Sequence, residues 1–181
     1  MSMFYISEVK STAPAAFQTT LQEMVYHVLQ QFNVCYERVD TDEAITMEDC
    51  LLIDEKLNMQ TVKTLFLCNR QQTDFYLLIT TAGKPFKTKD LSSLLGISRL
   101  SFAPADLLEQ MLGTKVGGAS IFSVMLDKDN KVQVVLDEDA ISSEWYGCND
   151  GTSTSYMKLK TEWVVNEFLA FAHHKPKIIK L

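Results

Sequence analysis

The sequence predicts an α/β fold of the α+β kind, a single domain over residues 1–181 with a mixed, mainly antiparallel sheet covered by helices. Three observations lead there. Apolar, strand-like runs come in pairs joined by short turns, and amphipathic helical segments are interspersed among them without regular β-α alternation. A chain of 181 residues, 46% hydrophobic and 22% charged, also has enough apolar surface for one core.

From about Pro14 to Phe32, the residues Phe17, Leu21, Met24, Val25, Val28 and Leu29 recur at helical spacing, with Pro14 in the first turn. Cys35 to Val39 alternates as a short strand. Thr46 followed by Asp49 is a capping-box pattern that opens a helix through Met47, Leu51 and Leu52. Two strands follow, Val62 to Asn69 and Asp74 to Thr81, joined by a connector of hairpin length.

Next come helices from about Asp90 to Leu95, ending at Gly96, and from Pro104 to Gly113, with a short strand between them at Arg99 to Phe102. The small-residue loop Val116-Gly117-Gly118-Ala119-Ser120 leads into an expected strand, Ile121 to Leu126. A turn at 127–130 then returns the chain as Lys131 to Leu136. Further strands are expected at Ser142 to Tyr146 and Thr154 to Leu159. Thr161 is expected to cap a final amphipathic helix, and Lys177 to Ile179 to form a last strand.

The net charge of −6 and pI of about 5.1 set the chain against long polyanions. A nucleic-acid partner is therefore expected over a small footprint such as a strand end, with neither DNA nor a membrane surface as partner. No apolar run approaches the length of a membrane span, and the N-terminal stretch lacks the pattern of a signal peptide. Cys35, Cys50, Cys68 and Cys148 form no C-x-x-C pair and have no His at metal spacing, so reduced thiols in a cytoplasmic setting are expected.

The sequence contains no P-loop, G-x-G-x-x-G, H-E-x-x-H or G-x-S-x-G, and neither cofactor nor metal is expected. His27 reads as a surface helix residue, and His173 and His174 as cations closing the last helix. Asp137-Glu138-Asp139 reads as a solvated turn or helix start, as do Asp40, Asp42 and Glu43. Lys63, near the head of the strand VKTLFL, is either an exposed or edge lysine or a point charge for a phosphate. Gly117-Gly118 is either a plain loop or a bend whose backbone N–H groups cradle an anion.

Taken together, the order VKTLFL, LGISRLSFAPADLLEQMLG, VGGASIFSVM, VQVVLDED, GTST and HHKPKIIKL resembles the YbaK-like editing family, which also occurs as an inserted domain in prolyl-tRNA synthetases. The tail looks most like the free-standing, alanine-clearing branch. The resemblance implies an aminoacyl-tRNA deacylase acting on mischarged tRNA, with the tRNA acceptor end as substrate and prolyl-tRNA synthetase as a possible partner. It implies that Lys63 engages the tRNA 3′ end and that Gly117, Gly118, Ala119, Ser120 and Ile121 hold the aminoacyl carbonyl. Thr152, Ser153 and Thr154 would line the pocket.

The chain departs from the family pattern at Ile121, in place of Pro, and at Thr64, in place of Asn. It also departs at Gly147, in place of His, and at Gly151, in place of Asn. These departures leave a second reading: an impaired paralogue that binds an amino acid or an aminoacyl-tRNA end.

Overall fold

A computed structural model describes residues 3–44 and 46–181, and it contains two sheets. The larger has the order β4-β2-β3-β5-β8, from Leu100–Phe102, Val62–Asn69, Phe75–Thr81, Val132–Asp137 and Lys177–Ile179. The smaller has the order β1-β7-β6, from Glu37–Asp40, Ser155–Lys160 and Trp145–Asn149. Pairing is antiparallel except for β3 with β5 and β5 with β8. An isolated parallel bridge from Thr61 to Gly147 links the sheets.

The inner faces of both sheets share one core. Phe66, Leu77 and Val134 of the larger sheet and Cys148, Met157 and Leu159 of the smaller pack with Leu21, Val25 and Leu29 of helix α1 (Thr20–Gln31). Each such side chain contributes about 1.5–3 kcal/mol on burial. The outer face of the larger sheet carries a second cluster, Leu67, Leu78, Val135 and Leu100, under Leu91 of helix α3 (Thr88–Leu95). Helix α2 (Met47–Leu57) covers the outer face of the smaller sheet through Ile53 and Leu57, against Val39 and Tyr156.

Local chemistry explains where elements start and stop. The Thr46–Asp49 capping box forms as expected. Helix α4 (Ala105–Leu112) ends at Gly113 in the left-handed region. Helix α1 starts at Thr20 rather than near Pro14, because the Thr19 side chain accepts from the Gln22 N–H and stops the helix there. Phe17 lies outside the helix and stacks on Tyr26 at 5.9 Å.

The expected strand at Ile121–Leu126 is instead a 3-10 helical segment, nucleated by Ser120, whose hydroxyl accepts from the Phe122 N–H. Ile121, Phe122 and Val124 are all buried, so the run has no polar face whose period could separate strand from helix. The expected hairpin from 121 to 136 is therefore absent. Strand β5 lies parallel to β3 and β8 instead.

The final helical stretch is π-helical over Trp163–Phe168 and continues as α5 (Leu169–Phe171). His174 ties its end to Asp127: one ring nitrogen meets the Asp127 carboxylate at 2.8 Å and the other the Ala172 carbonyl at 2.6 Å. The ring thus bridges the end of the last helix and the turn before β5. His27 is exposed, as expected. No helix among the described residues is long and apolar enough to cross a membrane.

Candidate functional site

The glycine bend is positioned from both sides. Behind it, helix α4 stops at Gly113, and a tight turn follows in which the Gly118 N–H donates to the Lys115 carbonyl at 2.9 Å. Ahead of it, Ser120 and Ile121 are fully buried and anchor the segment in the main core.

The bend then meets the turn between β6 and β7. The Asn149 amide donates to the Ala119 carbonyl at 3.2 Å, its oxygen accepts from the Gly151 N–H at 2.9 Å, and the Ser120 hydroxyl donates to the Asn149 carbonyl at 3.2 Å. Asn149 is thus a clamp between two segments distant in sequence.

The turn is braced from below by Asp150, which is wholly buried. Its carboxylate accepts from the Gln22 amide (2.9 Å), the Tyr26 hydroxyl (2.8 Å), the Thr152 hydroxyl (2.6 Å) and the Thr152 N–H (3.2 Å). Four donors compensate a buried carboxylate that has no ion pair among the described residues. Burial, reinforced by the Asp150 charge, pushes the Tyr26 hydroxyl far above the usual phenol range and keeps it a donor.

Above this brace lies a cavity of about 410 Å³, lined by Thr114, Lys115, Gly118, Gly151, Thr152 and Ser153, with Glu43 and Glu109 at its wall. The Ser153 hydroxyl donates to Glu43 at 2.9 Å, and the Thr154 hydroxyl accepts from the Gln18 amide, also a lining residue, at 2.9 Å. The N–H groups of Gly118, Gly151 and Thr152 are engaged internally, whereas those of Gly117, Ala119 and Ser120 have no such bond among the described residues. Of the stretch from Gly117 to Ser120, it is Gly118 that lines the cavity, whereas Ser120 is buried beneath it.

Of the residues anticipated from sequence, the structure gathers Gly117, Gly118, Ala119, Ser120, Thr152, Ser153 and Thr154 at this junction. Ile121 lies beneath it, in the core rather than on the cavity wall. Lys63 is elsewhere. Its strand neighbours Leu65 and Leu67 pack into the outer cluster, whereas Phe66 and Cys68 face the inner core that holds Ile121. The Lys63 ammonium donates to the Lys84 carbonyl at 3.0 Å on that outer side. The expected meeting of Lys63 with the glycine bend does not occur, and the cation on the cavity wall is Lys115.

Two departures from the family pattern have a steric reason. A Cβ at Gly147 would lie 2.6 Å from the Gln60 carbonyl and 2.7 Å from the Met59 sulfur, so no side chain fits there. Gly151 has φ +92°, and a Cβ would meet Leu21 at 2.8 Å.

Among the described residues, no cluster of three His, Cys, Asp or Glu side chains could hold a metal. Asp137 serves as a helix start, accepting from the Asp139 N–H, and is buried against Lys84 at 2.7 Å.

Sequence reasoning missed Asn149, Asp150, Gln22, Tyr26, Glu43 and Lys115. One available signal was Gln22 with Tyr26, two polar-tipped residues four apart on the buried face of α1.

Comparison with known proteins gives a consistent picture. The family profile described as the aminoacyl-tRNA editing domain matches residues 41–165. The prolyl-tRNA editing protein ProX of Acetoanaerobium sticklandii is 27% identical over 141 residues, covering 78% of this chain and 86% of its own. A solved structure described as a candidate trans-editing enzyme for prolyl tRNA synthetase superposes with a TM-score of 0.62 at 15% identity, over 91% of this chain and 98% of that one. A scaffold protein used for computational epitope grafting superposes with a TM-score of 0.66 at 16% identity, over 90% and 97%. The two structural matches speak to the fold alone.

Proposed function

Because the chain belongs to the aminoacyl-tRNA editing domain family, we propose that it hydrolyses the ester of a mischarged tRNA, releasing a small non-cognate amino acid such as alanine from proline tRNA. The observation that carries this reading is the clamped junction, where the glycine bend, through Gly118, and the following turn, through Gly151, Thr152 and Ser153, wall a cavity large enough for an esterified amino acid.

An aminoacyl ester is already activated, so a positioned water suffices as nucleophile, and in this proposal backbone N–H groups of the glycine bend turn toward the carbonyl to stabilise the oxyanion that develops on it. One such donor is worth about 3 kcal/mol in well-studied hydrolases. With glycine at 147, no imidazole stands on β6, and the vicinal ribose hydroxyl of the substrate takes the place of a protein base. Glu43 and Glu109 suit the substrate's α-ammonium, and Lys115 suits a phosphate of the strand end. Thr152, Ser153 and Thr154, the last through Gln18, shape the wall.

The substrate's source explains the need. A synthetase pocket discriminates against a missing methylene by only about 1–3 kcal/mol, so smaller amino acids slip through and a second site must clear them. The acceptor end is the partner over a small footprint, as the charge of −6 requires. Prolyl-tRNA synthetase is the proposed source of the substrate and the cytoplasm the proposed setting, in keeping with four free thiols.

The test is release of labelled amino acid from a panel of mischarged tRNAs, with wild type beside Asn149→Ala. Wild type is expected to release at least one amino acid well above the buffer rate. Asn149→Ala, which unclamps the bend, is expected to lower kcat/KM by about 10- to 100-fold. No release from any tRNA in the panel would overturn the proposal.

A further inference from the structure

Strand β6 presents its odd-numbered residues away from the main core, since Tyr146 and Cys148 point into it. At one end of that face stands Asn149, the clamp. At the other stands Trp145, about 13 Å away at the ordinary strand rise. Trp145 is half-buried and forms part of the wall of a second cavity, of about 500 Å³, together with Asp54, Thr61, Val62, Ser142 and Ser143.

Two ammonium groups from β7 lie over its ring, Lys160 at 4.4 Å and Lys158 at 4.9 Å from the centroid. Each ammonium also meets one exposed carboxylate: Lys158 meets Glu37 at 3.5 Å, and Lys160 meets Glu144.

We propose that Trp145, Lys158 and Lys160 form a docking platform for an unpaired nucleotide of the tRNA acceptor strand. The proposal rests on the reading of the chain as a hydrolase of mischarged tRNA and extends it to a separate surface. The base stacks on the indole where it walls the cavity, a contact that any base can make. The ribose hydroxyls reach Asp54, Thr61, Ser142 and Ser143, a set of acceptors and hydroxyls suited to a sugar.

The phosphate displaces Glu144 from Lys160, while Lys158, itself buried, stays behind the ring with Glu37. An exposed ion pair such as Lys160–Glu144 is weak, so the exchange costs little, and the ammonium is already held in place by the ring. Two lysines beside one indole also reconcile nucleic-acid contact with a net charge of −6: the attraction is local, and a long duplex is repelled.

The platform is tested by measuring the Kd of a fluorescently labelled single-stranded RNA hexamer ending in CCA, and of the same sequence in a blunt duplex, at two salt concentrations. Wild type is expected to bind the single strand in preference. Trp145→Ala is expected to weaken that binding by about 10-fold or more, while Trp145→Phe stays within about threefold because the stack survives. Lys160→Gln is expected to reduce the dependence of log Kd on log salt by about 0.7, the contribution of one phosphate contact on a single strand. Thermal melting of each variant, with Trp145→Phe as the conservative control, separates lost contact from lost fold.

The proposal is overturned if folded Trp145→Ala binds as wild type does, or if the duplex binds as well as the single strand. Its failure is distinguishable from failure of the hydrolase reading. Hydrolysis by wild type with an unchanged KM in Trp145→Ala removes the platform alone. Trp145-dependent binding without release from any tRNA removes the hydrolase reading and leaves the platform standing.

Discussion

The two faces of the larger sheet handle polar groups in opposite ways. On the inner side, the junction of the glycine bend with the 149–154 turn is held by one amide clamp and one buried carboxylate, and it walls a cavity. On the outer side, Lys63, Lys84, Thr80, Asp137 and Asp139 form a closed set. Lys63 donates to the Lys84 carbonyl, the Lys84 ammonium meets both Asp137 and Asp139 at 2.7 Å, and Thr80 donates to Asp137 at 2.7 Å. The first arrangement keeps capacity for a ligand, whereas the second uses its charges to pin the sheet. A charged cluster on its own is thus a poor guide to a site, and a rigidly clamped loop that walls a cavity is a better one.

The comparison is most exposed at Asp150. Asp150→Ala strands four buried donors, so a loss of about 3 kcal/mol is expected. That corresponds to a melting temperature about 6–12 °C lower, measurable by calorimetry, with loss of amino-acid release even below the transition.

On the outer face, Lys84→Ala leaves Asp137 buried with fewer partners and should cost about 2 kcal/mol without changing release. Its pH signature is specific. Burial alone would push the Asp137 carboxyl up, but the bonds from Lys84, Thr80 and the Asp139 N–H outweigh it and hold the group below its ordinary value. A carboxylate with a depressed folded pKa stabilises above its unfolded pKa of about 3.9, and that stability is lost as pH falls through the lower folded value. Removing Lys84 lets burial prevail, so the acid limb of a stability–pH profile should shift to higher pH. An unmoved limb would show that the pair does not act as described.

The smallest effect is expected for Lys63→Ala, with a change under about 1 kcal/mol and release within about threefold of wild type. Abolished release in a folded Lys63→Ala protein would show that the outer face reaches the substrate after all.

Much of the fold was legible in sequence. Strand β2 occupies the expected range, β3 begins one residue later than expected, and α2 opens on the expected cap. The failures share a cause. The run at 121–126 is buried on every side, so its period carries no information, and the short Ser120 contact that bends it is visible only in three dimensions. The same holds at the site. The glycine bend and the Thr152-Ser153-Thr154 turn announce themselves by composition, but Asn149 and Asp150 act through partners at residues 119 and 22–26, which no local pattern links to them. Lys63 was placed by resemblance, and the alternation of β2 puts it on the other face.

The close approach of Met59 and Gln60 to Gly147 also limits what can be substituted there. Placing an imidazole at that position demands a rearrangement of the connector between α2 and β2, because the Gln60 backbone as well as the Met59 sulfur occupies the space. A single substitution cannot make that trade. Glycine at 147 is thus fixed by its neighbour in space, and a side chain engineered there has to come with compensating changes at residues 59 and 60.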